Sequence, residues 1–174
     1  MKRSLTILFC SITAFLTVAQ LDAGLSDIEI HVQPKQTKQS GVQPQGGGTR
    51  HHTQEQWGYD VTIENKSFKQ LDGLELRYVI FSKHEKFGSK DPAETKRANG
   101  SLTIGSLKPH EKKLVSTNTV EIDKTQLDGD YYFPDGGKQR AQDSLVGCWV
   151  RVYQGGQQVA EYANPSTLLR ERWE

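Results

Sequence analysis

Apolar side chains recur at every second position in several short runs, and no stretch makes a convincing helix. The sharpest run, 144–163, reads as two strands joined by Gly155 and Gly156, since glycine supplies the positive φ of a tight hairpin turn. On its first strand Val146, Cys148, Val150 and Val152 point one way, and Leu145, Trp149, Arg151 and Tyr153 the other. The first set is small, apolar and mostly β-branched, as a packed sheet face requires. The second mixes aromatics with an arginine, so that face is expected to be covered by another segment or used for contact.

Earlier runs follow the same rule. Residues 27–32 alternate, with Ile28, Ile30 and Val32 inward. Residues 33–50 carry Gln, Lys, Ser, Pro and three successive glycines but only one apolar side chain, Val42. Nothing there offsets ordering entropy, which predicts a long mobile loop and places the first strand at a sheet edge. Trp57, Tyr59, Val61 and Ile63 share the next inward face, and 65–67 forms a turn. Leu74, Leu76, Tyr78 and Ile80 follow, with Val79 and Phe81 apolar on the opposite face, as in a strand covered on both sides. A polar surface excursion spans 83–98. Leu102 and Ile104 mark a short strand, closed by a turn at 108–111 that contains Pro109. Then come a Val/Thr-rich strand at 113–122 and a second long loop at 126–143. The hairpin follows, and 165–174 is a tail with one expected helical turn and Trp173. This pattern predicts an all-β fold, an antiparallel β-sandwich of about seven strands.

Lys2 and Arg3 precede an apolar run at 5–18, and Thr17, Val18 and Ala19 supply small residues at a cleavage site, which predicts a signal peptide removed after Ala19. The run is shorter than the roughly 20 residues of a spanning helix. The expected layout is 1–19 as signal peptide, 20–50 as N-terminal strand and flexible loop, and 51–174 as the sandwich with its tail. The processed protein is expected to be secreted or periplasmic, with no transmembrane segment. Losing Lys2 and Arg3 moves the formal charge from +1 to −1, which argues against a nucleic-acid partner. One cysteine remains, Cys148, so no intramolecular disulfide forms and the core must hold the domain.

Residues 59–65 (YDVTIEN), 74–81 (LELRYVIF) and 104–111 (IGSLKPHE) resemble an immunoglobulin/fibronectin-III-type module of secreted bacterial proteins. The shared order is a strand ending in Asn, a strand of alternating Leu and Tyr, and a Leu-x-Pro-x-Glu turn before a Val/Thr strand. The resemblance spans about 51–163 and implies an Ig-like sandwich, without the paired cysteines of antibody-type domains. Such sandwiches host many functions, so it implies no activity.

No hydrolase, nucleotide or metal motif is present. The sequence around Ser106 lacks the second glycine of a nucleophile elbow, and the glycines at 46–48 lack the lysine of a phosphate loop. His51 and His52 are neighbours on a strand and point to opposite faces. Asp128, Asp130 and Asp135 share a loop, but their spacing is not that of an EF-hand. Cys148 lies among valines, as a small core hydrophobe does. Asn65 and Asn99 each open a glycosylation sequon. Tyr131, Tyr132 and Phe133 are expected either to fold back over the sandwich edge or to form a contact site. Trp149, Arg151 and Tyr153 are expected either to lie under the tail with Trp173 or to form a contact site too; together the six make the candidate binding set. No cofactor is expected. The expectation is a non-catalytic module acting by contact with an unknown protein or cell-surface component. The alternative is a carbohydrate-binding module using exposed aromatics on a polysaccharide.

Overall fold

The computed structural model describes residues 27–40, 43–45, 50–128 and 133–173. The expected signal peptide, with Asp130, Tyr131 and Tyr132, lies outside them. Among the described residues ten strands follow in order: β1 (Ile28–Gln39), β2 (Gln43–Gln45), β3 (Arg50–Asn65), β4 (Leu71–His84), β5 (Glu94–Leu107), β6 (Lys112–Ser116), β7 (Val120–Leu127), β8 (Arg140–Gln142), β9 (Ser144–Gln154) and β10 (Gln157–Asn164). A 3-10 turn, Ser166–Arg170, opens the tail. The strands form two antiparallel sheets. The first runs β1-β3-β7-β8, with β2 and β6 also on β3, and the second runs β10-β9-β4-β5. The chain is all-β, in the two-layer arrangement of a sandwich. No helix among the described residues is long and apolar enough to cross a membrane.

β3 organises the first sheet. One of its edges pairs with β1 over 55–65 and with β2 over 50–52. The other pairs with β7 over 50–57 and with β6 over 60–64. The change of partner falls at Gly58, where a Cβ would press on the Asn118 carbonyl oxygen (3.1 Å) and Thr117 Oγ1 (3.2 Å). There Tyr59 N donates to Thr117 Oγ1 and Thr117 N donates to Tyr59 O, both at 2.9 Å. The single strand expected at 113–122 is therefore two strands broken at Thr117.

The loop expected from residue 33 is corrected, because β1 continues to Gln39. Its side chains from Gln33 onward are exposed, as the composition required. Order comes instead from the backbone ladder to β3, which needs no apolar side chain, and from the Lys35–Asp60 ion pair (3.0 Å). Ile28, Ile30 and Val32 enter the main core, so β1 is part of the sandwich rather than a prelude to a domain starting at residue 51. The expected surface excursion and second long loop likewise give up Glu94 to Ala98 to β5 and Arg140 to Gln142 to β8.

The core lies between the sheets. Val61 and Ile63 face Leu76, Tyr78, Ile80, Val150 and Val152 across it. The β9–β10 hairpin turns at Gly155 (φ 57°) and Gly156 (φ 83°), with Gln154 opposite Gln157. One departure from alternation matters. The β4–β9 register slips between Phe81 and Ser82, so Leu145 packs on the main core while Val146 joins the opposite face. That opposite face carries a second apolar cluster of Val79, Phe81, Trp149 and Leu168, covered by the tail.

Cys148 is fully buried, and burial pushes its thiol up to about 12. Thiolate is the reactive form. In a Cys10→Ser background, an aromatic disulfide reagent is therefore expected to label the native chain only as fast as the chain opens, and at once in denaturant. Rapid labelling of the native chain would contradict the burial.

Candidate functional site

The face of the second sheet that points away from the core brings three of the sequence-predicted residues together. Registry sets Glu75 opposite Tyr153, Arg77 opposite Arg151, and Val79 opposite Trp149. On the far side of β4, Ser101 stands opposite Arg77 and Asn99 opposite Val79. Two arginines directly across a sheet repel, yet each has a carboxylate. Arg77 donates Nε and Nη2 to the two oxygens of Glu75 (2.9 and 3.0 Å), and Arg151 donates Nε to Glu161 (2.7 Å). The Arg77 guanidinium holds the Glu75 carboxyl below its usual range.

Both guanidiniums also lie on rings. Arg77 sits 4.5 Å from the Tyr153 centroid, and Arg151 lies 4.6 Å from Trp149 and 4.2 Å from Trp173. The two indoles meet edge to face at 5.0 Å, and Trp149 Nε1 donates to Glu161 (3.0 Å). The tail is clamped beside them. Arg97 donates to Glu171 (2.9 Å) and to the Arg172 carbonyl (3.0 Å) while lying over Phe81.

Trp149 is consequently only 3% exposed. Of the two outcomes expected for this face, cover or contact, Trp149 takes the first: the tail folds over the indole and Glu161 takes its N–H. What stays open is a groove of about 390 Å³ between Trp173, Arg77 with Glu75, and the backbone at Gly100. Asn99 and Ser101 offer amide and hydroxyl groups along it. Gly100 is required there, since a Cβ would run into the Tyr78 hydroxyl beneath. Sequence reading missed Arg77, Asn99 and Ser101 as parts of this site. The spacing of Glu75 and Arg77 on one face of an otherwise apolar strand was the available signal.

Phe133 does not join this set. It packs edge to face on Phe87 at 5.5 Å, and Phe87 carries the Arg50 guanidinium at 4.6 Å. The two loops are tied by Gly88 N to Lys138 O (3.2 Å) and Lys138 N to Ser89 O (3.4 Å). Asp128 contacts His51 Nε2 (2.7 Å), and Asp135 caps its own turn at Gly137 N (3.2 Å). His52 contacts Thr125 Oγ1 (3.1 Å). Among the described residues no three His, Cys, Asp or Glu side chains gather as a metal would need. Of the two sequons, Asn65 is fully buried with its amide hydrogen-bonded, and Asn99 is exposed.

No protein-family model matches the chain, and no curated protein does. Several solved structures are similar to it, and two of them illustrate the degree. The Northeast Structural Genomics Consortium target SoR45 shares 11% identity at a TM-score of 0.39, over 79% of this chain and 85% of that one. A protein from Akkermansia muciniphila shares 14% at a TM-score of 0.30, over 78% and 71%. Likeness at this level carries no argument about function.

Proposed function

We propose that this chain is a non-catalytic, secreted or periplasmic module of Ig-like type that binds a protein or cell-surface component through the outer face of its four-stranded sheet. The observation that carries the reading is the stacked array of Trp173, Arg151, Arg77 and Tyr153 beside an open groove. Arginine and large aromatics held rigid by their neighbours are the side chains that dominate protein contacts, because little conformational entropy is lost when they bind. Each charge in the array has a partner, so the surface presents hydrogen-bonding edges and ring faces rather than a strong field. That suits a patterned macromolecular surface better than a small ion. The polysaccharide alternative loses Trp149 as a platform, since that ring is enclosed.

The test immobilises the chain and exposes it to the extracellular and surface fraction of its source. Ser101→Arg fills the groove, and Arg77→Ala removes its guanidinium. A specific retained component is expected to fall at least tenfold with either change, while melting shifts by only a few degrees, since both residues are exposed or half-buried. Equal retention by the variants would remove the outer face from consideration.

A further inference from the structure

Sheet one is longer than the layer that covers it. Tyr59, Val61 and Ile63 meet the main core, but β3 continues to Arg50 while β9 begins only at Ser144. By alternation His51, Thr53, Glu55 and Trp57 lie on the same inward face as Tyr59. The register adds Ile122, Lys124 and Gln126 from β7, and Arg140 and Gln142 from β8. Six residues of strand separate His51 from Trp57, roughly 20 Å. Two adjoining hollows of about 350 and 290 Å³ lie along this face and share Lys124 as a wall.

Their chemistry changes from end to end. At one end the Trp57 ring, left half-buried rather than in the core, stands with Pro34, Ile122 and Leu145. Its indole N–H donates to Glu55 (2.8 Å), and Glu55 also takes Lys124 Nζ (2.6 Å). The ring is thereby fixed in orientation. At the other end stand Gln126, the His51–Asp128 pair and Arg140. Arg140 Nη2 donates to the neutral Gln142 side chain (2.6 Å), and among the described residues it forms no ion pair with a carboxylate. An extended peptide would need apolar sockets at alternate positions, and beyond Trp57 and Ile122 the floor offers amides, a hydroxyl and charges instead. Groups that both donate and accept, beside one fixed ring, suit a hydroxyl-rich chain. A guanidinium with no acidic partner among the described residues suits a carboxylate on that chain, taken by two parallel hydrogen bonds.

We infer that this overhanging inner face is a second binding site, separate from the outer groove, for an acidic oligosaccharide whose sugar ring stacks on Trp57 and whose carboxylate meets Arg140. The test is calorimetric titration of the full chain with a tetramer of α-1,4-galacturonate and with its carboxyl-reduced galactose counterpart. The acidic tetramer is expected to bind at least tenfold tighter than the reduced one. Arg140→Gln is expected to erase that difference, and Trp57→Ala to weaken both ligands at least tenfold. Arg140 is exposed, so its variant carries the test even where Trp57→Ala fails to fold. Three results would overturn the assignment: no binding of the acidic tetramer, equal binding of the two tetramers, or binding that survives Arg140→Gln and is lost with Ser101→Arg.

Discussion

Asn65→Ala is expected to cost about 3–5 kcal/mol of stability, although the side chain removed is small and polar. Asn65 is fully buried. Its Nδ2 donates to the carbonyls of Lys69 (2.7 Å), Lys108 (3.0 Å) and Leu107 (3.2 Å), and its Oδ1 accepts from Ser67 N (2.9 Å) and Ser67 Oγ (2.7 Å). One carboxamide thus ties the end of β3, the β3–β4 turn and the β5–β6 turn. Without it, the buried Leu107 carbonyl loses its donor, at about 1–3 kcal/mol, and the partly buried bonds to Lys69, Lys108 and Ser67 are lost with it. Asn65→Asp separates this account from simple packing. The carboxylate would face three carbonyl oxygens, so its folded pKa would be raised above the unfolded value. For a raised pKa the stabilisation is present below the unfolded value and lost as pH rises through the folded one. Asn65→Asp is therefore expected to be markedly less stable at neutral pH than at about pH 4, relative to Asn65→Ala. Urea midpoints across that range decide it. A loss under about 1 kcal/mol for Asn65→Ala would show that water reaches these carbonyls.

Trp149→Ala is expected to cost about 3–5 kcal/mol, a large share of the total stability of a domain this size. The indole fills the space between Val79, Leu168 and Trp173, and its N–H shares Glu161 with Arg151. Removing it opens a cavity, strips Arg151 of one of its two rings and loosens the tail together with it. Trp173→Ala, at a half-buried position, is expected to cost less than half as much. Trp149→Phe keeps most of the packing but loses the N–H contact, and is expected to fall between. Equilibrium denaturation of the three variants supplies the order. Equal effects for Trp149→Ala and Trp173→Ala would mean the tail, rather than the buried ring, holds this face together.

Much of the fold was legible because period-two alternation is strong where one face is buried. Ile28, Ile30, Val61, Ile63, Leu74, Leu76, Val150 and Val152 all read inward and lie inward. Two of the misses share a cause. β1 beyond Val32 and β8 are ordered by backbone pairing, which leaves no trace in side-chain hydrophobicity. The bulge at Val146 exchanges the faces of two similar apolar residues, so either assignment satisfied the pattern. The site was less legible. Trp149, Arg151 and Tyr153 read correctly as one face, but Arg77, Asn99 and Ser101 came from strands judged only for their apolar halves. Trp57 read as core because its spacing is that of Tyr59, and nothing in spacing marks where a covering sheet ends.

The position of β9 has a kinetic consequence. It lies between β4 and β10 in the second sheet, yet it comes in the chain after β4, β5 and every strand of the first sheet. Until it is made, β4 has β5 on one edge and no partner on the other, and it exposes apolar side chains on both faces, Leu76 and Ile80 on one and Val79 and Phe81 on the other. The partial chain cannot close either apolar cluster, because Val150 belongs to one and Trp149 to the other. Folding must wait for β9 and then proceed through contacts distant in sequence, which places it among slow folders, on the order of milliseconds to seconds. During that interval the growing chain is a substrate for whatever cellular machinery holds extended polypeptides, and a stop anywhere before residue 144 leaves the β4–β5 pair without the β9–β10 half of its sheet.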